Sequence, residues 1–295
     1  METENQGDFP LLTQVARNLS DLKKVEHARF GRPGRTQVIA VANQKGGVGK
    51  TTSAVNIAAG LALGGLNVVV IDADAQGNAS SALGIDHPTG TPSTYDVVIG
   101  RNSLEEVLQD CPTVPGLRVC PSTIDLSGAE IELVDVSQRE FLLAHAVDAF
   151  LATHRDVHVI LIDCPPSLGL VTLNVMVASD QVLIPIQTEY YALEGLSQLW
   201  TTIERISQTL NPKLRVSTML LTMVDRRTRL SEEVEAEVRE HFSDLVLQTV
   251  IPRSVRVSEA PSYAQTVVTY EPKGSGAVAY RKAALELSLR LETGV

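Results

Sequence analysis

The stretch Gln44-Lys45-Gly46-Gly47-Val48-Gly49-Lys50-Thr51-Thr52 constrains the fold more than any other part of the chain. It follows the apolar run Val38-Ile39-Ala40-Val41-Ala42 and opens a helix-compatible run from Ser53 to Leu63. Strand, glycine-rich turn and helix, in that order, make a phosphate-binding loop. The glycines let consecutive backbone N–H groups curl around an anion, and the helix aims its positive end at the same point. Gly46, Gly47, Val48, Gly49 and Thr52 are the expected cradle. Lys50 is placed to reach the β- and γ-phosphates, and the Thr51 hydroxyl to ligate Mg2+. The general pattern G-x-x-x-x-G-K-[ST] puts its first glycine at position 44. This chain has Gln44 there, followed by a second lysine, Lys45.

The chain has 295 residues, enough for one large domain or two small ones. Aromatics make up 4% of it, so the expected core is aliphatic. No apolar stretch approaches the ~18 residues of a membrane span. Met1 to Pro10 is acidic and polar, unlike a secretory signal. The three cysteines, Cys111, Cys120 and Cys164, are odd in number and widely spaced. That argues against a disulfide framework or a C-x-x-C metal site and fits a reducing cytoplasm with small buried thiols. The net charge of −10 argues at first against nucleic acid. The charge is uneven, however: residues 213–282 hold more Lys and Arg than Asp and Glu. Much of the acid there lies on one expected helix, Glu232 to Glu240, and Arg226, Arg227, Arg229, Arg253 and Arg256 cluster in loops outside it.

Residues 1–36 read as an N-terminal extension. Leu11, Leu12, Val15, Leu19 and Leu22 recur at helical spacing. A basic linker containing Gly31-Arg32-Pro33-Gly34 follows. Two readings stay open: a helix packed on the body with a solvated linker, or an arm that contacts a partner or DNA. The segment is too short for a helix-turn-helix unit with its own core. From Val38 onward, apolar strands (38–42, 68–71, 117–120, 157–162, 181–185, 214–221, 245–251) alternate with helices (53–63, 137–153, 168–178, 193–210, 231–242, 277–291). The pattern predicts one α/β domain over 37–295, a doubly wound and mostly parallel sheet with helices on both faces.

Ligands of such sheets sit at the carboxyl ends of the strands. One strand ends in the phosphate loop. Another ends at Asp72-Ala73-Asp74, and a third at Asp163-Cys164-Pro165-Pro166. Asp163 fits a carboxylate that holds Mg2+, usually through water. Asp74, in a Gln/Gly/Asn loop, can orient an attacking water, and Asp72 reads as structural.

Lys45-Gly46-Gly47-Val48-Gly49-Lys50-Thr51-Thr52 resembles the deviant Walker A motif of the ParA/MinD superfamily. The resemblance covers about residues 37–290. It implies ATP and Mg2+ as cofactors, ATPase activity, and a Lys45 that reaches across an ATP-dependent homodimer to the phosphates of the other subunit. Asp72-Ala73-Asp74-Ala75-Gln76-Gly77-Asn78 resembles the family's switch segment, with Ala75 where proline is usual. Leu161 to Gly169 is similar to its Walker B segment. Glu189-Tyr190-Tyr191-Ala192-Leu193-Glu194-Gly195 and Ile251-Pro252-Arg253-Ser254-Val255-Arg256 to Ser262 resemble the chromosomal, Soj-like branch, and the likeness adds Pro252 to the nucleotide contacts. That branch implies a cytoplasmic, nucleoid-associated protein. It would bind double-stranded DNA without sequence preference and be released by a ParB-like centromere-binding partner. Arg226, Arg227, Arg229, Arg253 and Arg256 are the candidate DNA contacts, since arginine clusters suit phosphates without base reading. A MinD-like or other positioning ATPase with a non-DNA cargo is the alternative. The terminal segment Tyr280 to Leu291 reads as a packed helix, and membrane insertion is not expected. A non-enzymatic, ATP-gated interaction protein would keep Lys45 and Lys50, but intact Asp74 and Asp163 argue for turnover.

Overall fold

The apolar runs build a seven-stranded sheet. The computed structural model describes residues 10–189 and 194–294. Its strands are β1 (Gln37–Val41), β2 (Val68–Asp72), β3 (Gln109–Asp110), β4 (Leu117–Cys120), β5 (Val159–Asp163), β6 (Gln181–Gln187) and β7 (Arg215–Thr222). Their order is β3-β4-β2-β5-β1-β6-β7, and only the β3–β4 pairing is antiparallel. Successive side chains alternate between faces, and both faces are apolar. Val38, Ala40, Ile160 and Ile162 point into one core. That core is covered by helices Leu142–Thr153, Leu170–Ala178, Glu194–Thr209 and Arg229–Phe242. Ile39, Val41, Val159 and Leu161 point into the other, beneath the phosphate-loop helix (Lys50–Leu63) and the C-terminal helix (Ser275–Thr293). The doubly wound sheet expected from the sequence is therefore the observed architecture.

Two local expectations change, and one short strand was not expected. Residues 245–251 form no strand; Val246 makes an isolated bridge to Met219 of β7, and just beyond both segments Pro252 bridges Val224. The β3 edge has no apolar run to reveal it, and the expected helix at 137–153 opens as a 3₁₀ turn, Arg139–Phe141. The sequence segment Glu189 to Gly195 is covered only in part, because residues 190–193 lie outside the described residues.

The N-terminal segment is moored rather than solvated. Its helix, Pro10–Glu26, packs on the C-terminal helix. Leu22 and Val25 face the body, whereas Val15 is 47% exposed. Phe30 is buried, and its ring occupies the space a side chain at Gly64 would need. Arg29 grips Glu292 with both terminal nitrogens, the Gly31 N–H donates to Ser288 Oγ (3.0 Å), and Arg35 reaches Asp180 (3.0 Å). All three cysteines are free and buried. Among the described residues no helix is long and apolar enough to cross a membrane.

Candidate active site

The phosphate loop is clamped from both sides. At its entry Asn43 Nδ2 donates to the Pro185 carbonyl (2.8 Å), and Asn43 Oδ1 accepts from the Lys45 N–H (3.0 Å). On the far side Thr222 Oγ1, at the end of β7, donates to the Val48 carbonyl (2.8 Å). Sequence reasoning missed both residues; their only signal was a polar residue just past an apolar strand. Gly47 (φ 75°) and Gly49 (φ 87°) take the left-handed conformation that only glycine adopts freely. Gly46 does not, so Gly47 and Gly49 make the turn. The helix then starts at Lys50, with its first N–H groups at the loop.

The two lysines are held differently. Lys50 is 8% exposed, and its Nζ donates to the Lys45 carbonyl (3.3 Å). Burial lowers its pKa, with Asp163 the largest opposing influence. Lys45 reaches away from the loop, and its Nζ lies 3.4 Å from Glu189 Oε2. Glu189 is itself held by Gln187 Nε2.

The aspartates end neighbouring strands: Asp72 of β2 is in register with Asp163 of β5, and Asp163 with Val41 of β1. Asp72 is fully buried and fully used. It accepts from Ser80 N–H (2.8 Å), Ser80 Oγ (2.7 Å) and Asp74 N–H (3.2 Å). Burial raises its pKa to about 6 against those hydrogen bonds. This is the structural residue the sequence reading favoured. Asp163 is equally buried, yet neither of its carboxylate oxygens has a hydrogen-bond partner. Its pKa is raised by burial first and by Asp72 next, while the Thr51 hydroxyl and Lys50 pull the other way. Thr51 is thus near Asp163 without closing a well-formed hydrogen bond to it. Asp74 is partly exposed, and its Oδ1 accepts from the Gln76 N–H (3.0 Å) in a tight turn. Ala75 packs against the core of the sheet.

A buried carboxylate without partners is costly unless a cation or a proton joins it. No group of three or more His, Cys, Asp or Glu side chains among the described residues could cage a metal. Asp163 and Thr51 therefore suit an ion such as Mg2+, which takes one or two protein ligands and completes its shell with water and phosphate. Beside the loop, a cavity of about 320 Å³ is lined by Gly49, Thr52, Met223, Pro252 and Tyr280. Pro252 thus lines a cavity that adjoins the phosphate loop.

The arginines separate into groups. The bridge between Val224 and Pro252 joins their loops, so Arg226, Arg227 and Arg253 line one groove. Arg227 is bound bidentately to Asp225 (2.8 and 2.7 Å), which holds that carboxyl down to about 2. Arg229 pairs with Glu233 (2.9 Å) outside the groove. Arg256 pairs with Glu259 (2.8 Å) and Glu271 (3.2 Å), also outside it.

A family model described as an AAA domain matches residues 36–216. The chromosome partitioning protein ParA of Caulobacter vibrioides is 48% identical over 254 residues, which is 86% of this chain and 94% of that protein. The sporulation initiation inhibitor protein Soj of Bacillus subtilis is 47% identical over 252 residues, 85% of this chain and 98% of that protein. Among solved structures, a cobyrinic acid a,c-diamide synthase from Mycobacterium smegmatis, with bound ATP analog and magnesium, superposes with a TM-score of 0.75. It is 37% identical and covers 88% of this chain and 97% of its own.

Proposed function

The chain belongs to the ParA/MinD family, in its ParA (Soj-like) branch of chromosome-partitioning ATPases, and from that premise we propose an ATP-driven cycle of dimerisation and DNA binding. The single observation that carries the nucleotide site is Asp163. It is a buried carboxylate with both oxygens unpartnered, in register with the strand that ends in the phosphate loop. In this reading Lys50 and the loop N–H groups hold the β- and γ-phosphates of ATP. Thr51 and Asp163 hold Mg2+, which would neutralise charge on the transferred phosphoryl group. Asp74 orients water for attack. Lys45 reaches the phosphates of a second copy, so ATP joins the two subunits. Its side chain lies on Glu189 rather than on the loop it belongs to, which supports that role.

Catalysis of this kind is positioning and charge neutralisation, so basal turnover should be slow until a ParB-like partner completes the site. The dimer would present two copies of the Arg226/Arg227/Arg253 groove to a duplex, which makes retention on DNA depend on ATP through valency. The synthase description of the Mycobacterium neighbour is not carried over, because the relatives at higher identity are named for partitioning.

The test is retention on non-specific double-stranded DNA together with phosphate release. Retention should require ATP and Mg2+. Asp74→Ala should bind ATP and be retained yet release phosphate at about a hundredth of the wild-type rate or less, the lower range for a group that positions the reactant. Phosphate release without ATP-dependent retention would point instead to a positioning ATPase with a non-DNA cargo.

A further inference from the structure

A groove of about 670 Å³, with no phosphate-loop residue in its lining, meets the cavity beside the loop at Pro252 and Arg253. It is lined by three parts of the chain that are distant in sequence: the N-terminal helix with Arg17 and Asp21, the paired loops with Asp225, Arg226, Arg227 and Arg253, and the C-terminal helix with Lys282. Its charges are unbalanced. Asp21 is used by Lys282 (3.1 Å) and Lys24 (3.3 Å), and Asp225 is used by Arg227 (2.7 Å). Arg17, Arg226 and Arg253 are exposed and make no ion pair among the described residues. A chain of net charge −10 thus gathers uncompensated guanidinium groups in one hollow. Like charges held together in this way repel, and an anion that enters the hollow relieves the repulsion.

The position of Arg17 is fixed by the mooring of its helix. Val25 and Phe30 are buried, Asp21 is bonded to the C-terminal helix, and Arg29 is bonded to Glu292. Arg17 is therefore held in the lining of the groove that Arg253 shares and does not sweep past on a loose arm. We infer that the N-terminal helix is part of the nucleic-acid surface, with Arg17 joining Arg226 and Arg253 on the phosphate backbone of double-stranded DNA. This rests on the DNA-binding reading above and extends it to a helix outside the matched family region of residues 36–216. Guanidinium groups carried on separate elements along one groove suit a regular row of phosphates and need no base contact.

The experiment measures binding to a random-sequence duplex over a salt series, with ATP and Mg2+, for wild type, Arg17→Glu, Arg17→Lys and Arg253→Ala. Arg17→Glu should weaken binding about three- to tenfold at moderate salt and lower the slope of log affinity against log salt by about one per engaged protomer. Arg17→Lys should restore most of the slope, since a phosphate contact needs charge more than fork geometry. Turnover without DNA should stay at the wild-type rate. Arg17→Glu with an unchanged slope, while Arg253→Ala weakens binding, would overturn the inference and leave the DNA reading intact. Failure of the wild type to bind would remove both. Unchanged DNA binding with lost stimulation by the partner would assign the groove to an acidic protein segment and would also overturn it.

Discussion

Asp72 and Asp163 end adjacent strands and are both fully buried, but only Asp72 has its oxygens bonded. Their variants should therefore behave in opposite ways. Asp72→Ala strands the Ser80 N–H, the Ser80 hydroxyl and the Asp74 N–H, and should cost about 2–4 kcal/mol. For a chain of this size that lowers the melting temperature by roughly 5–15 °C. Asp163→Asn removes a buried charge that has no partner, so the nucleotide-free protein should melt at or above the wild-type temperature. The same variant should lose the extra stabilisation that ATP with Mg2+ gives the wild type. Calorimetry with and without Mg-ATP checks both. A large loss of nucleotide-free stability in Asp163→Asn would show that the carboxylate is structural after all.

At the scale of elements, the N-terminal helix depends on one aromatic anchor and a set of exposed ion pairs. Phe30→Ala should weaken its docking by about 3 kcal/mol. Hydrogen exchange of residues 13–30 should then accelerate while the phosphate loop stays protected; unchanged exchange would refute the anchor. Acid should act on the same contact. Lys282 and Arg29 hold the pKa of Asp21 and Glu292 below their ordinary 3.8 and 4.5. Carboxylates with lowered folded-state values contribute stability above those ordinary values and lose it as pH falls through the lowered ones. Exchange in the extension should rise below about pH 4, by a modest amount because the pairs are exposed.

The extension also shows where legibility ended. Strands β1, β2 and β5 could be read because unbroken apolar runs lead into the glycine-rich loop or end in aspartate, and the roles considered for Lys50, Thr51 and Asp163 followed from those endings. The mooring could not be read. It depends on Phe30 meeting Gly64, and on Arg29 meeting Glu292 across the length of the chain, and neither residue carries a local pattern. Asn43 and Thr222 were hidden for the same reason: each is defined by a carbonyl it meets on a distant strand or loop. The loop pairing through Val224 and Pro252 likewise sorted five candidate arginines into three that share a groove and two that are paired elsewhere.

For the whole molecule, we propose that the phosphate loop is half of a site and that Lys45 belongs to the other half. A lysine meant for its own phosphates would be packed as Lys50 is, buried against the loop. Lys45 instead stands a third exposed on a single carboxylate, Glu189, from which a phosphate array of higher charge can draw it. The most direct measurement is the mass of the protein by light scattering with ATP and Mg2+, in an Asp74→Ala background so that ATP persists. The chain alone should scatter as a dimer, twice its 31.8 kDa. With Lys45→Ala added it should bind ATP and remain at 31.8 kDa. ATP-driven dimers in the double variant would contradict a trans role for Lys45.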